Sequence, residues 1–116
     1  MNLSMDLQTL LTTSAKAPPQ HSALFAVLNL GMIESLSNGM ISAADALRIF
    51  YHAKNCLFVR KNMRSKVADE IMSHGVQLAD LFDILPTEEA RREFQRELAT
   101  MRALCLKLLE KKQLVA

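Results

Sequence analysis

Three glycines and three prolines are all the strong punctuation in 116 residues, too little for the many tight turns of an all-β domain. Such a chain must cover its length in a few long elements. Between the breaks Leu, Ala and Met abound, while aromatics amount to five Phe, one Tyr and no Trp. Helices favour the former, and strands favour β-branched and aromatic residues. Half the residues are hydrophobic and 22% are charged, a balance that supplies one globular core. The expected fold is all-α: a single domain over residues 1–116, with four main helices, a short N-terminal helix and residues 1–19 as a mobile N-terminal segment.

Periodicity places the elements. Leu3, Leu7, Leu10 and Leu11 recur at helical spacing until Ala17-Pro18-Pro19, where the residue before proline is pushed out of the α region. From His21 to Leu36 apolar residues fall on nearly every face, which predicts a central helix surrounded by others, with Asn38-Gly39 as its C-terminal cap. Ser42-Ala43-Ala44-Asp45 has capping-box spacing and predicts a third helix starting there. Its main face is Ala46, Ile49, Phe50, Ala53, Cys56 and Leu57, and a second stripe holds Leu47, Tyr51 and Phe58. Arg60–Lys66 is the expected junction. The fourth helix sets Val67, Ile71, Leu78, Phe82 and Leu85 against a polar side of Asp69, Ser73, Asp80 and Asp83. Pro86 ends it. Thr87 caps the last helix, with Glu88 and Glu89 in its first turn and Lys107, Lys111 and Lys112 near its end, both favourable to the helix dipole. Along that helix Ala90, Phe94, Leu98, Met101, Cys105 and Leu108 form a heptad-like seam, expected to pack on the bundle rather than between molecules. Phe25, Leu28, Ile33, Phe50, Phe82 and Phe94 are the expected core.

Charge is strongly segregated. From Arg48 to Lys66 there are six cations and no anion, and from Asp69 to Glu89 six anions and no Lys or Arg, although the net charge is +2. Adjacent blocks of opposite sign either neutralise each other or recruit oppositely charged partners. The candidate partner-binding residues are therefore Arg60, Lys61, Arg64, Lys66, Asp69, Asp80 and Asp83. A protein partner, or a second copy forming a homodimer, suits both blocks. Nucleic acid suits the cations alone, because a duplex reaching them would also meet Asp69 and Glu70, and there is no dense aromatic set for base stacking.

Other classes find little support. The N-terminus MNLSMDLQTLLTTSAK lacks the basic n-region and cleavage site of a secretory signal. The longest stretch free of charged residues holds about ten consecutive apolar residues against the ~20 needed to span a bilayer. Two cysteines without an export signal point to free thiols in the cytoplasm. His52 and Cys56, four apart, make half a metal motif that Cys105 or His74 would have to complete, and no Gly-rich turn offers an oxyanion site for a Cys–His pair. Glu34 is the one acidic residue between Asp6 and Asp45 and sits on the most apolar helix; the expected reading is a carboxylate in solvent near the helix end with a cation nearby, and the lesser alternative a functional carboxylate with a shifted pKa. No catalytic residue, metal, cofactor, membrane contact or small-molecule substrate is inferred. The expectation is a non-catalytic interaction module, adaptor-, immunity- or antitoxin-like, with a nucleic-acid-binding regulator as the alternative.

The run from Gly31 to Ala46, GMIESLSNGMISAADA, resembles a stretch of short bacterial helical proteins of uncharacterised function. There the form is roughly G-x-I-E-x-L-x-N-G-x-I-S-x-x-E-A, and Asp45 stands here where Glu is expected. The resemblance covers about a third of the chain and implies a helical fold and a bacterial origin, not an activity.

Overall fold

The computed structural model describes residues 3–14 and 18–111. These form six α-helices and one π-helical turn, with no strand among the described residues: α1 (Leu7–Ser14), α2 (Pro18–Ser37), α3 (Ala43–Ile49), α4 (Ala53–Phe58), the π-turn (Val59–Met63), α5 (Lys66–Ile84) and α6 (Thr87–Lys111). The all-α reading holds. The expected stop at Ala17 lies outside the described residues, but α1 and α2 fall on either side of it.

Helix ends follow the local chemistry. Gly39 has φ +71°; its N–H donates to Leu36 and that of Met40 to Ser35, the paired bonds of a Schellman cap. At the start of α3 the Ser42 hydroxyl accepts from the Asp45 N–H at 3.0 Å while the Asp45 carboxylate accepts from the Ser42 N–H at 3.2 Å. This capping box holds the Asp45 carboxyl below its ordinary range, the Ser42 backbone contributing most.

The long α6 packs along α5 and α2, α3 rests on α5, and α1 sits across α2 and α4. Leu7 and Leu11, Phe25 and Ile33, Phe50 and Tyr51, Ile71 and Leu78, and Leu98 and Met101 meet in one core. Of the α6 seam, Phe94 is half-buried and the other five residues are buried, so the seam is spent inside the molecule. Three of the six expected core residues are not buried. Phe82 is 46% exposed, because the last turns of α5 run past the α2–α3 connection and leave it beside a groove. Leu28 and Phe94 are half-buried, Phe94 as the edge-on partner of Phe82 at 5.3 Å. The central helix is also not enclosed on every side, for Val27, Gly31 and Glu34 form an exposed stripe.

The third predicted helix is broken. α3 ends at Ile49 and α4 restarts at Ala53, because Phe50 and Tyr51 are both buried and adjacent side chains on a helix point about 100° apart. Leaving the helix lets both rings enter the core edge to face at 5.0 Å. The restart changes the helical phase, so Asn55 faces inward and Leu57, expected on the main apolar face, faces solvent.

Candidate interaction site

The break at Phe50–His52 absorbs several residues that sequence alone offers for chemistry. Asn55 Nδ2 donates to the carbonyls of Phe50 (2.8 Å) and Met5 (3.0 Å), and its Oδ1 accepts from the Leu7 N–H (3.0 Å). The side chain is fully buried and pins α1 to the start of α4. His52 N-caps α4: its Nδ1 accepts from the Asn55 N–H at 3.4 Å and its Nε2 lies 2.9 Å from the Met5 carbonyl, so the proton sits on Nε2. Cys56 Sγ donates to the Tyr51 carbonyl at 3.7 Å, and Tyr51 Oη donates to Asn29 Oδ1 at 2.9 Å in the core. His52 and Cys56 therefore both take part in the joint between α3 and α4. No group of three or more His, Cys, Asp or Glu with metal-binding spacing occurs among the described residues. Burial pushes the half-buried Cys56 thiol up and that of Cys105 up to about 12, which disfavours the thiolate form of both.

Glu34 is exposed and engaged. Its carboxylate accepts from Asn38 Nδ2 at 2.9 Å and pairs with Arg102 at 3.3 Å, tying α2 to α6 at the surface. Between α5 and α6, His74 has a buried Nδ1 whose polar neighbour is Glu97 Oε2, 2.6 Å away but poorly aligned for a hydrogen bond.

The segregated charges behave differently. Arg60 and Lys61 stand on the π-turn, Arg64 follows it in the left-handed region at φ 48°, and Lys66 opens α5 behind the Ser65 cap; all four side chains are exposed. None meets a described carboxylate within ion-pairing distance. A π-turn is rare and concentrates at functional sites, and a non-glycine residue in the left-handed region costs about 1–2 kcal/mol. Both unusual features fall on the basic block, and sequence periodicity carries no signal of either. At the far end of α5, about 21 and 26 Å from Lys66 at 1.5 Å per residue, Asp80 and Asp83 are exposed and unpaired by the same measure. Asp69, one turn inside the basic end, is half-buried. The structure thus brings Arg60, Lys61, Arg64 and Lys66 to one end of α5, with Asp80 and Asp83 at the other. It does not bring the two sets together.

The acidic end borders an apolar groove of about 690 Å³ between the α2–α3 connection and the α5–α6 hairpin. Leu36, Met40, Ile41, Ala79, Phe82 and Phe94 line it, with Asp45 and Asp83 at the rim. Met40 is 77% exposed and nearby Ile84 on α5 is 75% exposed.

A family model for proteins of unknown function, DUF3969, matches residues 16–115. The chain belongs to that family. Its match begins just before α2 and spans the groove and both charged ends of α5. No curated protein and no solved structure matches the chain. No helix among the described residues is long and apolar enough to cross a membrane.

Proposed function

We propose that this protein is a non-catalytic interaction module that binds a protein through the charged ends of α5. The observation behind this reading is that the ends are charged against the helix itself. Lys66 and Arg64 stand at the positive N-terminus of α5, while Asp80 and Asp83 stand near its negative C-terminus, where the last turn has no basic residue. A misplaced charge in the first or last turn of a helix, as Lys66 and Asp83 are, costs about 0.3–1 kcal/mol, and Asp69 is the one acidic residue in the first turn to offset it. Exposed charges that oppose their own helix and have no ion-pair partner among the described residues do not stabilise the helix, which favours an intermolecular role. The apolar groove beside Asp83 adds contact area of the kind that binding surfaces expose. An adaptor-like protein of a bacterial cytoplasm fits two buried or half-buried free thiols in a reducing compartment.

A second reading rests on the four cations at the π-turn, which suit a row of phosphates. One experiment separates the two. The purified chain, with and without nuclease treatment, is sized by light scattering across a salt series. Salt-sensitive association that survives nuclease supports a protein partner or self-association. Retained nucleic acid whose affinity falls about a thousandfold between 50 and 200 mM salt supports the alternative. A monomer at every salt concentration that neither retains nucleic acid nor co-purifies with a protein sinks both.

A further inference from the structure

We propose that the partner of α5 is α5 of a second copy, packed antiparallel about a two-fold axis at Ser73. This rests on the interaction reading above and names its partner. At 3.6 residues per turn Lys66, Glu70, Ser73, Gln77, Asp80 and Ile84 repeat at alternating intervals of four and three, the spacing of a helix-pairing seam. Glu70 is half-buried and the other five are exposed, so this seam faces away from the bundle, unlike the one α6 uses inside it.

The charge pattern makes the seam complementary to itself in one direction. Lys66 and Asp80 each lie seven residues from Ser73. A two-fold axis at Ser73 therefore sets Lys66 of each copy opposite Asp80 of the other, places Asp69 opposite Gln77, and brings Arg64 to within one residue of Asp83. Shifting the axis to Gly75 would oppose Glu70 to Asp80 and Lys66 to Ile84, replacing attraction with like-charge repulsion. A parallel pairing would stack like on like at both ends. In the antiparallel arrangement the cations that oppose their own helix dipole lie against the negative C-terminus of the partner helix, so an unfavourable placement within one chain becomes favourable between two. Ser73 is small enough at the axis for close approach of the backbones, and the contact is isologous, so it closes as a dimer rather than growing into a filament. Ile84 ends the strip and would be covered by the π-turn of the other copy. One helix against one helix lies at the small end of specific interfaces, which makes this a weak dimer, to be sought at high chain concentration.

The test uses two charge-swapped variants of the full chain, Arg64→Glu/Lys66→Glu and Asp80→Lys/Asp83→Lys. Each alone carries four like charges across the proposed seam and should sediment as a monomer. Mixed in equal amounts they restore every pair, and a one-to-one heterodimer should return, weakened about tenfold or more by 500 mM salt. Independently, Ser73→Cys on a Cys56→Ser background should form a disulfide-linked dimer under mild oxidation, since facing residues of closely packed helices reach the Cα separation a disulfide requires. Gln95→Cys, on the exposed side of α6, should not. Recovery in the mixture together with the Ser73 cross-link establishes the pairing. Wild-type self-association that neither swap weakens, or swapped variants that stay monomeric when mixed, overturns it. If the wild type is monomeric but a salt-sensitive foreign protein occupies the charged ends, the pairing fails while the interaction reading stands.

Discussion

The segment from Ser42 to Lys66 is interrupted twice, and the two breaks are opposites. At Phe50–His52 the polar side chains around the gap find partners: Asn55 serves three backbone groups, His52 caps α4 and reaches Met5, and Tyr51 bonds to Asn29. At Val59–Ser65 the backbone passes through a π-turn and a left-handed arginine, and the side chains it presents are exposed cations without a described carboxylate. The first break stores no evident strain and hides its polar atoms. The second combines strain with exposed charge. A break that satisfies itself is a joint of the fold, whereas one that stays strained and unpaired carries the stronger case for a binding role.

Changes at the joint should have the largest effects. Asn55→Ala strands the Leu7 N–H and the Phe50 carbonyl in the interior, and should lower stability by about 3–4 kcal/mol. Hydrogen exchange in α1 should then approach the rate of an undocked helix; protection of α1 equal to wild type would show that Asn55 does not tie it down. Gly75→Ala tests the opposite wall of the same joint. A Cβ there would overlap the Tyr51 ring, which is buried and bonded to Asn29, so overpacking should cost about 2–3 kcal/mol in urea unfolding.

How legible each break was in the sequence follows from the same contrast. The capping box at Ser42 and Asp45, the Asn38-Gly39 cap and the α6 seam depend on neighbours within a few residues, and local spacing reveals them. The joint at Tyr51 depends on Asn29 and Gly75, 22 and 24 residues away, so the pattern there looks like one continuous helix with two stripes. Phe82 misleads for a related reason: its position on the apolar face of α5 is correct, but whether that face is covered so near the helix end depends on where the α2–α3 connection stops. Of the candidate site, the charged residues were visible as a run of like sign, and their separation by the length of α5 follows from its uninterrupted periodicity. The π-turn left no trace, because Val59–Met63 contains neither glycine nor proline.

The second break should respond to mutation in the opposite sense. Arg64→Gly relieves the left-handed strain and should raise stability by about 1 kcal/mol, while removing one cation from the basic end and weakening salt-sensitive association. A gain in stability with a loss of association would separate the strained break from the structural joint. A loss of stability would mean that Arg64 contributes packing that its exposure does not suggest.

The smallest effect concerns pH, and it belongs to the first break and its surroundings. Asp45 is held below its ordinary range by the Ser42 capping box, and Asp6 by the hydrogen bond from Lys54, which ties the start of α1 to α4 at 2.9 Å. A carboxylate whose folded-state pKa is depressed takes up its proton more readily in the unfolded chain. Its contribution is therefore present above the ordinary carboxylate value near 3.8 and is lost as pH falls through the lower folded value. Thermal midpoints should hold steady on the neutral side of that value and decline below it. Replacing Asp6 and Asp45 with Asn should lower the plateau slightly and flatten the decline, because neither side chain can then gain a proton. Both groups are solvent-exposed, so the change is small and screened by salt. An acid limb equally steep in the double variant would assign it to other carboxylates and leave the joint's polar contacts, rather than its charges, as what holds α1 in place.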